Sequence, residues 1–245
     1  KNDYNRKNPM PVFDGEPAYE QMPTSWPVGS DFHGDWMVRK RAYWSMFAGS
    51  FGHTYGHPSV CWMISEKERD SFRKYSWFEA LDQPGAWQMK ILRDFLESRD
   101  LSQCIPCQEL LIEQNDKMED VIDEHIQACV EKEGKFACLY FPSGGAETVD
   151  LSRLKIEQLQ IWWFNPRDGQ CYTQENVITD KAISLEVIKR DEKRGVLKIK
   201  TPTRGIEQDW VCLIENRNNH STIPGTAKIY GEMPVPPEIK KTFMW

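Results

Sequence analysis

Near the start of the chain, two glutamates, Glu16 and Glu20, bracket Pro17 and Tyr19 in the stretch MPVFDGEPAYE, Met10 to Glu20. Pro11-Val12-Phe13 reads as a short apolar strand that runs into Asp14-Gly15. Pro17 fixes the exit, so Glu16 is set at the carboxyl end of that strand. Further on, in FGHTYGHPSVCWM, His53, Tyr55 and His57 occupy alternate positions, which share one face if the segment is a strand. A carboxylate beside imidazole and phenol groups suits glycoside cleavage. The carboxylate attacks an anomeric carbon, and His and Tyr donate to sugar hydroxyls. The same residues also fit a plainer account, in which Glu16 is a solvated loop acid and the rings are packing groups.

The elements that would position these groups follow a strand, helix, strand, helix order. Asp35 is a candidate N-cap for a helix from Trp36 through MVRKRAYWSMFAGS, with Gly49 near its end. Its apolar residues spread around much of the circumference, as in a helix packed between layers, and its charges cluster at Arg39, Lys40 and Arg41. A second helix starts at Pro84, with Met89, Leu92, Phe95 and Leu96 on one stripe. This βαβα order implies parallel strands with helices outside, where functional groups gather at the carboxyl ends of the strands. Two such units cannot close a barrel, which takes about 250 residues. From Ile126 the pattern changes to IQACVEKEGKFACLYFP, LQIWWFNPRDGQCYT, GVLKIKTP and DWVCLIE, strand-like runs separated by turns such as Asn165 to Gly169. Short strands without intervening helices indicate a small antiparallel β-sandwich. The expected fold class is therefore α/β followed by all-β: residues 1–103 as the last two βα units of a partial (β/α)8 TIM barrel, residues 104–216 as the sandwich, and residues 217–245 as a polar, Pro-rich tail.

Composition narrows the partners. Acids outnumber bases 37 to 31, a net charge of −6, which argues against nucleic acid or an anionic membrane surface. No apolar run approaches the roughly 20 residues of a membrane helix. Sugars need no countercharge and fit a chain with 10 Trp. The 7 cysteines are odd in number and mostly solitary, so they do not read as a disulfide framework. Cys104-Ile-Pro-Cys107 lacks the second pair a zinc site needs and the βαβ context of a redox motif. His53 and His57 have the spacing of a helical zinc pair, but Gly56 and Pro58 oppose a helix and the HExxH pattern is absent. No metal is expected.

The stretches PVFDGEPAYE, VRKRAYWSMFAGSFGHTYGHPSVCWM and WFEALDQPGAWQMKILRDFLESR closely resemble the apiosidase-like glycoside hydrolases over most of residues 9–103. The pattern LYFPSGGAETVDLSRL, WWFNPRDGQ, DWVCLIE resembles the C-terminal β domain of that family, often labelled collagen-binding, through residues 126–215. The resemblance implies a retaining glycosidase with its nucleophile at the end of barrel strand 7, which falls on Glu16, with Glu20 as the rival. It implies that His53, Tyr55 and His57 come from strand 8 and that Trp62 lies in the loop after it. These residues, together with Tyr19, are the expected substrate-site residues. The general acid/base is expected from an earlier strand, so the chain is expected to lack it together with the N-terminal barrel segment. Plant cell-wall polysaccharide side chains such as those of pectin, an extracytoplasmic location and no cofactor are further implications, the location being weakened by the unpaired cysteines. The alternative is a non-catalytic reading, in which the β domain binds carbohydrate through one of the adjacent Trp162 and Trp163, one ring core and one exposed, or merely scaffolds the barrel.

Overall fold

The computed structural model describes residues 4, 6–8, 10–25, 31–113, 124–173, 189–191, 195–217 and 222–226; most of the expected tail, residues 217–245, lies outside the described residues. Strand β1, Phe13–Asp14, pairs in parallel with β2, Gly52–His53, in the register Phe13 to Gly52 and Asp14 to His53. Helix α1, Asp35–Phe47, connects them. After β2 come α2 (Pro58–Cys61), α3 (Trp77–Ala80) and α4 (Pro84–Ser98). The extended segment expected over His53 to His57 is paired only at its start. Its ladder closes with the Thr54 amide donating to the Asp14 carbonyl at 3.1 Å, and the chain then turns into α2.

Capping departs from the expectation at one end of α1. Gly34 is the N-cap, and Asp35 is the first helical residue. The Asp35 carboxylate accepts instead from Arg39 one turn on and from the Gln88 amide at 3.0 Å. The far end behaves as read, because Gly49 adopts φ +95°, the left-handed conformation that ends a helix at least cost for glycine. Helix α4 opens on Pro84, whose missing amide costs nothing in a first turn, and buries Leu92 and Phe95.

Beyond α4 the sheets are antiparallel. A six-stranded sheet has the order β3-β4-β5-β11-β7-β8, built from β3 (Cys104–Pro106), β4 (Gln127–Glu131), β5 (Phe136–Phe141), β7 (Leu159–Phe164), β8 (Cys171–Thr173) and β11 (Trp210–Asn216). A three-stranded sheet has the order β6-β10-β9, from β6 (Ala146–Asp150), β9 (Lys189–Asp191) and β10 (Val196–Lys200). The architecture is α/β with mixed sheets.

Alternation along the strands explains how three layers fit together. On one face of the larger sheet, Leu139, Phe141, Ile161, Trp163, Cys212 and Ile214 share a core with Val149, Leu197 and Ile199 of the smaller sheet. On the other face, Cys138, Tyr140, Phe164, Val211 and Leu213 pack against Ala42, Tyr43 and Phe47 of α1 and Leu92 and Phe95 of α4. Because both faces are covered, β5 and β11 read in sequence as unbroken apolar runs instead of alternating ones. The Tyr43 and Tyr140 rings stack at 4.9 Å with a 7° interplanar angle.

Buried charge also crosses this seam. Arg39 donates to both oxygens of Asp209 at 3.0 Å each, and Tyr140 donates to Asp209 Oδ2 at 3.0 Å. Arg99, just past α4, donates to both oxygens of Glu215 at 2.7 and 2.9 Å. The charge cluster of α1 is thus two-thirds buried, with Arg39 and Lys40 each 1% exposed. The adjacent tryptophans also differ from expectation. Trp163 is core, but Trp162 is half-buried against the helical layer, its Nε1 donating to Glu215 at 2.8 Å. Cys104 packs in the helix-side core and Cys107 in the core between sheets, so the CxxC pair is split by the sheet.

Candidate active site

Both βα loops leave the carboxyl ends of the β1–β2 pair. Glu16 stands in the first of them, two residues past β1. It is exposed, and among the described residues it makes no hydrogen bond or ion pair. Glu20 is its opposite, being 1% exposed with both oxygens engaged. Oε2 accepts from the Tyr55 hydroxyl at 2.7 Å and Oε1 from the Gly85 amide at 3.1 Å. Burial raises the Glu20 pKa, opposed by these two hydrogen bonds. Burial, reinforced by the hydrogen bond to Glu20, likewise raises that of Tyr55.

The polar aromatics do not converge on one carboxylate. His53 Nδ1 lies 3.2 Å from Asp14 Oδ2, an ion-pair distance without hydrogen-bond alignment, and neither ring nitrogen has a hydrogen-bond partner. Burial lowers its pKa, with Asp14 opposing. Tyr55 is committed to Glu20. His57 is 1% exposed and serves as N-cap of α2, its Nδ1 accepting from the Ser59 amide at 3.1 Å. Burial takes its pKa down to about 4, so it is a neutral imidazole at ordinary pH. Tyr19 lies against Gly56, where a Cβ would fall 2.7 Å from the ring. Trp62 is 49% exposed and its ring sits 5.6 Å from that of Phe72. Among the sequence-derived residues, Glu16, Tyr19 and Trp62 therefore present surface, Tyr55 and His57 hold neighbouring chain, and the His53 ring is buried beside Asp14.

Two groups at this end escaped sequence reasoning. Asp14, directly opposite His53, accepts from the Ser45 hydroxyl of α1 at 2.6 Å and so ties both strands to the helix between them. Gly85 supplies the amide that meets Glu20. Nothing local in the sequence marks Gly85. Among the described residues, no group of three or more His, Cys, Asp or Glu side chains is placed to hold a metal ion.

A solved structure described as a glycoside hydrolase has 27% sequence identity and a TM-score of 0.72, over 89% of this chain and 45% of its own. The crystal structure of a glycoside hydrolase family 5 protein from Bacteroides vulgatus ATCC 8482 has 24% identity and a TM-score of 0.70, over 94% of this chain and 45% of its own, a likeness of fold. The chain thus spans less than half the length of either. No protein of curated function matches it. The fold is one shared with glycoside hydrolases. Residues 1–103 match the apiosidase-like catalytic domain, and residues 105–215 match the "Putative collagen-binding domain of a collagenase". Both matches fall on the stretches that carried the sequence resemblance.

Proposed function

We propose that this chain is the C-terminal part of a retaining glycosidase. In this reading the β1–β2 units are the last two of a (β/α)8 barrel, and residues 104–216 form a β-sandwich that braces it. The observation that carries the reading is the division of labour between the two glutamates. Glu20 is buried and fully hydrogen-bonded, while Glu16 is a free, solvent-facing carboxylate at the carboxyl end of a parallel strand. In a barrel, that end carries the chemistry.

Glu16 attacks the anomeric carbon to form a glycosyl-enzyme, which water then hydrolyses. A second carboxylate, roughly 5–5.5 Å away, protonates the leaving oxygen and afterwards activates the water. We assign the second carboxylate to barrel strands outside this chain. Proton donation is worth about 10²–10⁴-fold, and turnover requires those strands. Trp62, the exposed ring in the loop after β2, offers an apolar face to a sugar. Plant cell-wall polysaccharide side chains such as those of pectin, and an extracytoplasmic location, follow from the family resemblance. The chemistry calls for no cofactor.

The β domain as an independent carbohydrate-binding module is the second reading. The half-buried Trp162, bound to Glu215, favours a bracing role instead. The test is Glu16→Gln in the protein carrying its complete barrel, assayed by sugar release from pectic polysaccharides. Hydrolysis should fall to background while polysaccharide binding persists, and released sugar should keep its anomeric configuration by NMR. Activity retained in Glu16→Gln, or inverted product, defeats the assignment.

A further inference from the structure

Glu20 sits at a three-way junction whose construction goes beyond simple burial. Helix α4 has Gln83 as its N-cap residue, and that side chain makes no capping hydrogen bond. The exposed amides of a first helical turn need an acceptor, and a carboxylate there also meets the positive end of the helix dipole. Glu20 supplies that acceptor from 65 residues away, through the 3.1 Å bond to the Gly85 amide. Glycine leaves room for it, because a Cβ on Gly85 would lie 2.6 Å from Glu20 Oε2 and push that carboxylate aside. The second oxygen holds Tyr55, beyond the end of β2, and the Glu20 amide donates to the Gly56 carbonyl at 3.0 Å. Glu20 therefore joins the loop after β1, the chain after β2 and the start of α4.

From this geometry we infer that Glu20 is a positioning residue: a helix cap delivered from the loop after β1, which fixes that loop and so sets where Glu16 stands. The inference rests on Glu16 being the nucleophile. Its carboxylate is one short loop, Pro17 to Tyr19, from the anchor. Tyr19 is itself pressed onto Gly56, so the segment between the two glutamates is pinned at its distal end by both side chain and backbone.

Three variants test the assignment. Glu20→Gln keeps one oxygen for the Gly85 amide and places an amide group against the Tyr55 oxygen. Glu20→Ala removes both contacts. Gly85→Ala leaves Glu20 in place chemically but displaces its carboxylate. In this chain, hydrogen exchange at the residue 85 amide should quicken about five-fold or more in Glu20→Ala, the scale of a lost cap, and should stay near wild type in Glu20→Gln. In the protein with its complete barrel, kcat on pectic polysaccharide per folded molecule should fall about 100-fold in Glu20→Ala and Gly85→Ala with KM little changed, the scale of an ångström-sized misplacement. Glu20→Gln should restore most of it. Glu20→Gln as inactive as Glu16→Gln would make Glu20 catalytic and overturn the inference, as would full kcat in Glu20→Ala. If wild type releases no sugar, the glycosidase reading fails on its own. Unchanged exchange at residue 85 in Glu20→Ala would separately show that Glu20 caps nothing.

Discussion

Replacing Arg39 by Met probes what holds the helical layer to the sheet. Methionine keeps the aliphatic length that packs along α1 and removes the guanidinium, which donates to Asp209 twice, to Asp35 and to Gln88 Oε1 at 2.7 Å. Asp209, with a side chain 0% exposed, then retains, among the described residues, only the Tyr140 hydroxyl as a hydrogen-bond donor, and Asp35 loses the cation between the two carboxylates. Breaking a buried pair from one side costs about 3–5 kcal/mol, because the surviving charge is left uncompensated. For a chain of this size that is a fall in Tm of roughly 10 °C. Urea titration at pH 7, followed by both tryptophan fluorescence and circular dichroism, gives the loss directly. Adding Asp209→Asn removes the stranded charge while preserving an acceptor for Tyr140, so the double variant should recover about 2 kcal/mol over Arg39→Met alone. A loss below about 1 kcal/mol, or strict additivity of the two changes, would mean that Asp209 is solvated and that apolar packing alone carries the seam.

Acid should act through His57. Its folded pKa is down to about 4 against an ordinary 6.5, so between those values the unfolded chain takes up a proton that the folded chain refuses, and stability falls as pH drops. His57→Asn, which can still accept from the Ser59 amide, should flatten that part of the slope between pH 7 and pH 5 in urea midpoints; an unchanged slope refutes it. Gly144→Ala should destabilise well beyond the roughly 1 kcal/mol of an ordinary left-handed glycine replacement, because at φ +67° its Cβ would fall 2.2 Å from the Thr203 carbonyl oxygen. Gly145→Ala, at φ +135° with open space around the new methyl, is the control and should cost less by thermal melt.

Local chemistry in the sequence carried the fold furthest where one residue decides an element alone. Pro84 opens α4, Gly49 closes α1, and Asn165 to Gly169 turns the chain, with Asn165 Nδ2 donating to Asp168 at 2.8 Å and Gly169 at φ +75°. Partners far apart in the chain left no such trace. Arg39 reads as one of three adjacent bases, yet its acceptor is 170 residues on. Asp35 has the side chain of an N-cap but is drawn into that same network. Trp162 alternates with Trp163 as a strand requires, which places the rings on opposite faces without revealing that a helical layer covers the second face. At the site, spacing placed Glu16 at a strand end correctly, but the use of His53, Tyr55, His57 and Glu20 depends on what each meets, and periodicity does not encode that.

The doubly covered sheet makes the two halves poor candidates for separate lives. Cut before Cys104, the β portion would present Tyr140, Val211 and Leu213 to water and leave Asp209 and Glu215 without their arginines. Such a piece would be sticky, and any affinity it showed for a polysaccharide would be hard to tell from greasy adhesion. What looks in sequence like a detachable accessory is instead the floor on which α1 and α4 are laid.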